Sequence, residues 1–302
     1  MKHPHLATLA RALAVGAVML LGGCSMEILS PKGDIGAQEK TLLLTALGLM
    51  LLIVVPVIFM TLYFAWKYRA SNTEAEYLPK WSHSTRIEVV VWTIPCIIIA
   101  ILAVLTWKSS HALDPYRPLQ SDVKPVTIEV VSLDWKWLFI YPDYDIATVN
   151  QIAFPVNTPV NFRITSQSVM NSFFIPQLGS QIYSMSGMET KLHLNAFEVG
   201  DYAGISANYS GSGFSGMRFR ALAMTQQGFD DWIAKARASN NPLTPAVYEA
   251  LTKPSENNPV TMYSEVPTGM FDFIVHNQMS KMAGVDPATC TPATNNLIAV
   301  AE

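Results

Sequence analysis

Two long uncharged stretches dominate the first third of the chain. Thr41 to Trp66 and Val89 to Trp107 contain no Asp, Glu, Lys or Arg. At about 1.5 Å per residue, the first exceeds a hydrocarbon core of about 30 Å and the second just spans it. Each holds one proline, Pro56 or Pro95, which membrane helices tolerate when neighbouring groups satisfy the freed carbonyl. Trp66 and Trp107 close the runs, where interfacial aromatics belong. The pattern predicts a transmembrane hairpin, with spans over 41–66 and 87–107, a loop over 67–86 and a linker over 108–123.

Beyond Lys124 the period shortens. Val126 to Val131 is rich in β-branched residues, and Val160, Phe162 and Ile164 alternate with Asn161 and Arg163. Met217, Phe219, Ala221 and Ala223 alternate in the same way. Breakers such as Tyr141-Pro142-Asp143, Asn157-Thr158-Pro159 and Gly211-Ser212-Gly213 separate the runs. Short strands at this spacing predict a β-sandwich over 124–226. After Thr225 the texture turns helical. Phe229, Trp232, Ile233 and Ala236 share one face, a second helix is expected near Ala246 to Leu251, and a third stretch runs from Met270 to Met282. This extension, 227–290, is too small for a large core of its own and should pack on the sandwich or on partner subunits. Residues 291–302 read as a tail.

Residues 1–23 read as a secretory leader. Lys2 and Arg11 are followed by an apolar core, and Leu21-Gly22-Gly23-Cys24 has the form of a bacterial lipobox. Cleavage there would leave Cys24 as a lipid-modified N-terminus heading a short segment, 24–40. The loop between the spans carries Lys67, Arg69, Lys80 and Arg86 against Glu74 and Glu76, and before the first span stand Lys32 and Lys40. The positive-inside rule puts the loop in the cytoplasm and the sandwich outside, the orientation an exported N-terminus also requires.

Composition then excludes whole classes of function. Of 302 residues, 50% are hydrophobic and 14% charged, with a net charge of -3, so no basic surface for nucleic acid is present. Three cysteines occur, Cys24, Cys96 and Cys290, too scattered for a disulfide framework. None lies in the β-rich region. A thiolate-bridged dinuclear copper site and a blue mononuclear site are therefore both excluded from it, because each needs soft thiolate donors. There is no Gly-x-Gly-x-x-Gly strand–helix unit, phosphate loop or His-Glu-x-x-His motif.

Two segments give this absence its meaning. Asn171-Ser-Phe-Phe-Ile-Pro-Gln-Leu178 and Tyr209-Ser-Gly-Ser-Gly-Phe-Ser-Gly-Met-Arg-Phe-Arg220 resemble the two ligand loops of the dinuclear copper domain in subunit II of haem–copper oxidases. In that family the first loop opens with a ligand His, and the second runs Cys-x-x-x-Cys-x-x-x-His-x-x-Met. Here those positions read Asn171, Tyr209, Gly213, Met217 and Arg220. All five side-chain ligands are replaced. Gly211 stands where copper-bearing relatives place a magnesium-binding Glu. The chain therefore resembles the quinol-oxidising branch, the subunit II of bo-type ubiquinol oxidases.

The resemblance implies a membrane-anchored α+β protein: the two-helix hairpin, a cupredoxin-like Greek-key sandwich, and an aromatic-rich helical extension. It implies no cofactor in this chain, with haems and copper held by subunit I. Its partners would be subunit I, other oxidase subunits and the bilayer, with ubiquinol as the substrate of the complex. Glu88, in Ile-Glu-Val-Val-Val-Trp-Thr-Ile-Pro, matches a family carboxylate at the mouth of a proton channel in subunit I. By itself, a Glu there also fits as a first-turn carboxylate favoured by the helix dipole. Trp135, in Trp135-Lys136-Trp137, matches the residue that accepts electrons in copper-bearing relatives; with no copper beyond it, aromatic packing is the expected role. His193 alternates with apolar neighbours and is expected to face solvent. Met185, Met188, Met217 and Met224 are expected in cores and contacts. Two other readings stay open: a copper-bearing electron carrier like cytochrome c oxidase subunit II, which the missing cysteines oppose, and a lipoprotein binding module outside any oxidase.

Overall fold

The structure is a computed structural model that describes residues 27–76, 78 and 80–283, without the side chains of 280–283. The expected leader over 1–23, Cys24, Cys290 and residues 291–302 lie outside the described residues. Two long helices come first, α1 (Asp34–Lys67) and α2 (Thr85–Ala112). They extend the expected spans at both ends, because polar residues at the rims continue the helical hydrogen bonding out of the apolar runs. Their side chains are exposed almost throughout, Phe59, Leu62, Trp92 and Ile99 among them. Water would not leave so much apolar surface bare; lipid and protein would cover it.

Among the described residues, eleven strands follow in two sheets. The first has the order β11 (Thr261–Tyr263), β3 (Ile146–Val149), β2 (Lys136–Tyr141), β1 (Val126–Leu133), β5 (Val160–Ser166), β8 (Thr190–Leu194). The second has the order β4 (Gln151–Pro155), β10 (Arg218–Met224), β9 (Gly200–Ser206), β6 (Asn171–Phe174), β7 (Ile182–Ser184). Two pairs are parallel, β1 with β5 and β4 with β10, and join strands distant in sequence. The alternation read from sequence sets the inner faces. Ile128, Val130, Phe139, Phe162 and Phe219 meet between the sheets. There the Phe173 and Phe219 rings stack with centroids 5.0 Å apart, a geometry that adds to plain area burial.

The extension closes the other face of the first sheet. Helix α3 (Gln226–Arg237) turns Phe229, Trp232, Ile233 and Ala236 into the main core, as its apolar face predicts. Helix α4 (Pro245–Thr252) and helix α5 (Met270–Ala283) then cover outward-pointing Val131, Leu133, Leu138 and Ile140, which share their cluster with Tyr263 of edge strand β11. Strand β2 is consequently buried at every position.

The start of α1 is locked to the sandwich. Asp34 N donates to Asn195 Oδ1 at 2.9 Å and Asn195 Nδ2 donates to Asp34 Oδ2 at 2.6 Å. Gly36 N donates to Leu178 O at 3.0 Å, and Phe197 N to Lys32 O at 2.8 Å. Gly33 makes this approach possible, since a Cβ there would lie 2.3 Å from Asn195 O. Membrane helix and sandwich thus share a hydrogen-bonded joint rather than a free linker.

Candidate functional site

Two places carry the residues singled out by sequence: the loop end of the sandwich and the start of α2. At the loop end, Asn171 opens β6 and is buried. Its Oδ1 accepts from Ser206 Oγ at 3.0 Å, and its Nδ2 donates to Val169 O at 3.2 Å. Ser206 N donates in turn to Met217 O at 3.2 Å, so Asn171 and Met217 are neighbours through Ser206. Met217 is buried in the main core. Tyr209 projects into solvent, its ring edge-on to Phe214. Gly213 is buried in a 3-10 turn, Ser212–Gly216. Arg220 points outward from β10 and pairs with Asp201 at 2.7 Å, away from the core that holds Met217. The fold brings Asn171 and Met217 together and leaves Tyr209 and Arg220 outside.

Trp135 and the extension fill the space at Gly213. Trp135 sits at the β1–β2 turn with φ 62°, a left-handed conformation uncommon for bulky residues. It lays its indole over the loop and donates from Nε1 to Ser210 O at 3.1 Å. A Cβ on Gly213 would lie 2.5 Å from that indole and 2.7 Å from Glu256 Cγ. Gly211, at φ 113°, holds a conformation open essentially to glycine alone. Glu256 of the extension accepts at Oε1 from Ser212 Oγ at 3.3 Å. These residues do not fit copper: an amide, a phenol, a backbone-only position, one thioether and a guanidinium offer no thiolate or imidazole. Trp137, by contrast, is wholly buried against Phe173 and Phe219, a packing role.

Lys136 between the two tryptophans is 1% exposed. Its Nζ donates to Lys253 O at 2.9 Å, to Ser255 Oγ at 2.7 Å and to Asp134 O at 3.3 Å. Burial lowers its pKa, opposed by Asp134. Sequence reading gave Lys136 no role. Its signal was a lysine inside an otherwise apolar strand, a position that demands hydrogen-bond partners.

At the other end of the molecule, Glu88 sits in the first turn of α2. His83 Nδ1 approaches its Oε1 at 2.6 Å, and Thr85 Oγ1 lies 3.2 Å from His83 Nε2. The three form a short polar chain on the face where α2 begins. His83 went unassigned in the sequence; a His five residues before a Glu carries no helical periodicity to expose the pairing.

His193 needs correction. It does alternate outward from β8, yet it is only 8% exposed and its Nδ1 lies 2.7 Å from Asn161 Oδ1. The outer face there is roofed by the linker after α2, whose residues share a cavity with His193. Burial first, and Lys191 second, lower its pKa. Among the methionines, Met217 is core as expected and Met224 packs against it, whereas Met188 is 52% exposed.

Two long apolar helices leading into a cupredoxin-like sandwich, capped by a helical extension, define the class: a membrane-anchored subunit II fold. A family profile described as "COX Aromatic Rich Motif" matches residues 237–282, the segment that closes the first sheet. The chain is 65% identical over 263 residues to the cytochrome bo(3) ubiquinol oxidase subunit 2 of Pseudomonas aeruginosa, covering 87% of this chain and 80% of that one. It is 54% identical to the ubiquinol oxidase subunit 2 of Acetobacter aceti, over 91% of this chain and 90% of that one. Among solved structures, the periplasmic domain of subunit II of cytochrome oxidase of Bradyrhizobium japonicum aligns with a TM-score of 0.38 at 20% identity, over 40% of this chain and 98% of that one. The chain belongs to the ubiquinol oxidase subunit II family.

Proposed function

We propose that this chain is the structural subunit II of a proton-translocating ubiquinol oxidase and holds no redox centre of its own. The observation that carries the reading is the replacement of every copper ligand in a retained fold. Trp135 and Glu256 crowd Gly213, Asn171 is held by Ser206, and no cysteine occurs between Cys96 and Cys290. Haems, catalytic copper and quinol chemistry then belong to subunit I. This chain braces subunit I with α1 and α2 and caps it with the sandwich, on the periplasmic side of a bacterial inner membrane. Lipid on Cys24 adds a further anchor.

Glu88 would deliver cytoplasmic protons to subunit I. A carboxylate in reach of an imidazole and of bulk water, at the rim of a span, suits proton uptake. In the assembled oxidase, Glu88→Ala should lower turnover and slow haem reduction; unchanged values for both would remove the role. The whole reading is tested by metal and haem analysis of the complex purified through this chain. Haem and a single copper are expected. Two further coppers bound to this chain would overturn it, and a chain that never co-purifies with haem would favour a lipoprotein module outside any oxidase.

A further inference from the structure

One guanidinium serves three acids beneath the last helix. Arg163 Nη1 donates to Glu129 Oε1 at 2.6 Å. Its Nε and Nη2 fork onto Glu189 at 3.2 and 2.8 Å, and Nη2 also reaches Asp272 Oδ1 at 2.8 Å. Lys191 adds a second cation, 3.9 Å from Glu189 Oε1. Three carboxylates thus face two cations, and one negative charge is left over. The three are unequally placed. Asp272 has 56% of its side chain in solvent, and Glu189 takes both the Arg163 fork and Lys191. Glu129 is buried, and among the described residues its carboxylate accepts a single hydrogen bond. The leftover charge is therefore most readily removed by a proton on Glu129, where water is scarcest.

Helix α5 supplies that burial. Gly269 and Met270, at its start, share a small cavity of about 60 Å³ with Glu129. The next residue, Phe271, packs its ring 4.8 Å from the Arg163 guanidinium, and the same turn brings Asp272. From the β2–β3 loop, Asp145 lines the cavity as a further acid. Strand β2 contributes Ile140 and Tyr141, whose hydroxyl is bonded to Ala153 O. His276 lies one turn beyond Asp272 on α5. Lifting α5 would admit water to Glu129 and carry Asp272 away, and both changes favour the ionised acid. We propose that α5 is a proton-linked clasp: its closure over Glu129 takes up one proton, and the helix opens more readily once that proton is lost. Burial is the largest influence on the Glu129 pKa, Arg163 opposes it, and Asp272 and Glu189 add to it. The closed-state value is about 7, against 4.5 for a free side chain. A proton held more tightly in the closed state favours closure at low pH; that advantage is full below about 4.5 and is lost as pH rises through 7. On the reading above, the sandwich stands on the side to which protons are exported, so acidification there would tighten the clasp. The clasp itself stands without that reading.

Hydrogen exchange of the full chain in detergent tests this through the protection factors of the Phe271 to Met279 amides, which report local opening of α5. They should fall roughly tenfold or more between about pH 5 and 8, as a pKa difference of this size implies. Glu129→Gln, which carries no charge at any pH, should hold them level across that range. Asp272→Asn, which removes a neighbouring negative charge, should move the midpoint of the fall to lower pH. A level profile in the unaltered chain, a fall that survives Glu129→Gln, or one abolished by His276→Gln with Glu129 intact would overturn the clasp.

Discussion

Single residues decide whether the sandwich tolerates change. Glu129 is 7% exposed on the outer face of the first sheet, 2.6 Å from Arg163 Nη1. Arg163 also binds Glu189 and Asp272, each at 2.8 Å, and lies over the Phe271 ring. Burial outweighs the attraction of Arg163 and raises the Glu129 pKa to about 7, helped by Asp272 and Glu189. An acid whose pKa is higher in the folded state binds its proton more readily there. Its contribution is therefore favourable at low pH and is lost as pH rises from about 4.5 towards 7. Glu129→Gln should flatten that part of the melting temperature against pH curve; an unaltered slope would assign the dependence to other groups. Gly213→Ala should cost about 1–3 kcal/mol by overpacking against Trp135, read as a lowered melting temperature. Gly48→Ala, with nothing within 4 Å of the new Cβ, is its control.

Elements explain which faces are buried. The apolar stripe of α3 was legible because Phe229, Trp232, Ile233 and Ala236 follow helical spacing. The structure adds its cap: Thr225 Oγ1 accepts from Gly228 N at 3.2 Å. Thr225→Ala should cost about 1 kcal/mol, measurable by thermal denaturation of the purified chain. The double burial of β2 was less legible. Leu138 and Ile140 interrupt the expected polar alternation, and such continuous apolar runs mark strands covered on both faces. That signal stood in Lys136-Trp-Leu-Phe-Ile-Tyr141, but nothing in it says that α4 and α5 supply the cover. Sequence neighbours do not reveal partners 100 residues away.

At the scale of the whole molecule, the extension and the α1 joint convert separate parts into one body. Arg163 joins β1, β5 and α5 through its three carboxylates. The Asp34–Asn195 pair joins α1 to the loop after β8. Ending the chain after residue 237 would bare Val131, Leu133, Leu138 and Ile140. That surface is apolar and contiguous, so the truncated chain should aggregate or fail to assemble into an oxidase complex. Recovery of a fully assembled, active oxidase would show that the extension is dispensable. Cys24→Ser should leave the chain in the membrane fraction, because two spans anchor far more strongly than a lipid on Cys24 would; its release into the soluble fraction would refute the transmembrane reading of 41–66 and 87–107.

The sequence by itself determined the membrane hairpin, the β-rich middle, the helical end and the absence of thiolate ligands. These depend on local composition and on periods of two and 3.6 residues, which are written along the chain. Only the tertiary structure decided that Trp135 and Glu256 crowd Gly213, that Lys136 ties a β-turn to residues 253 and 255, and that His83 meets Glu88. It also decided that His193 lies under a linker instead of facing solvent. Each of these depends on which segments fold over which faces. That is fixed by burial of apolar area across long sequence separations, and no local pattern encodes it.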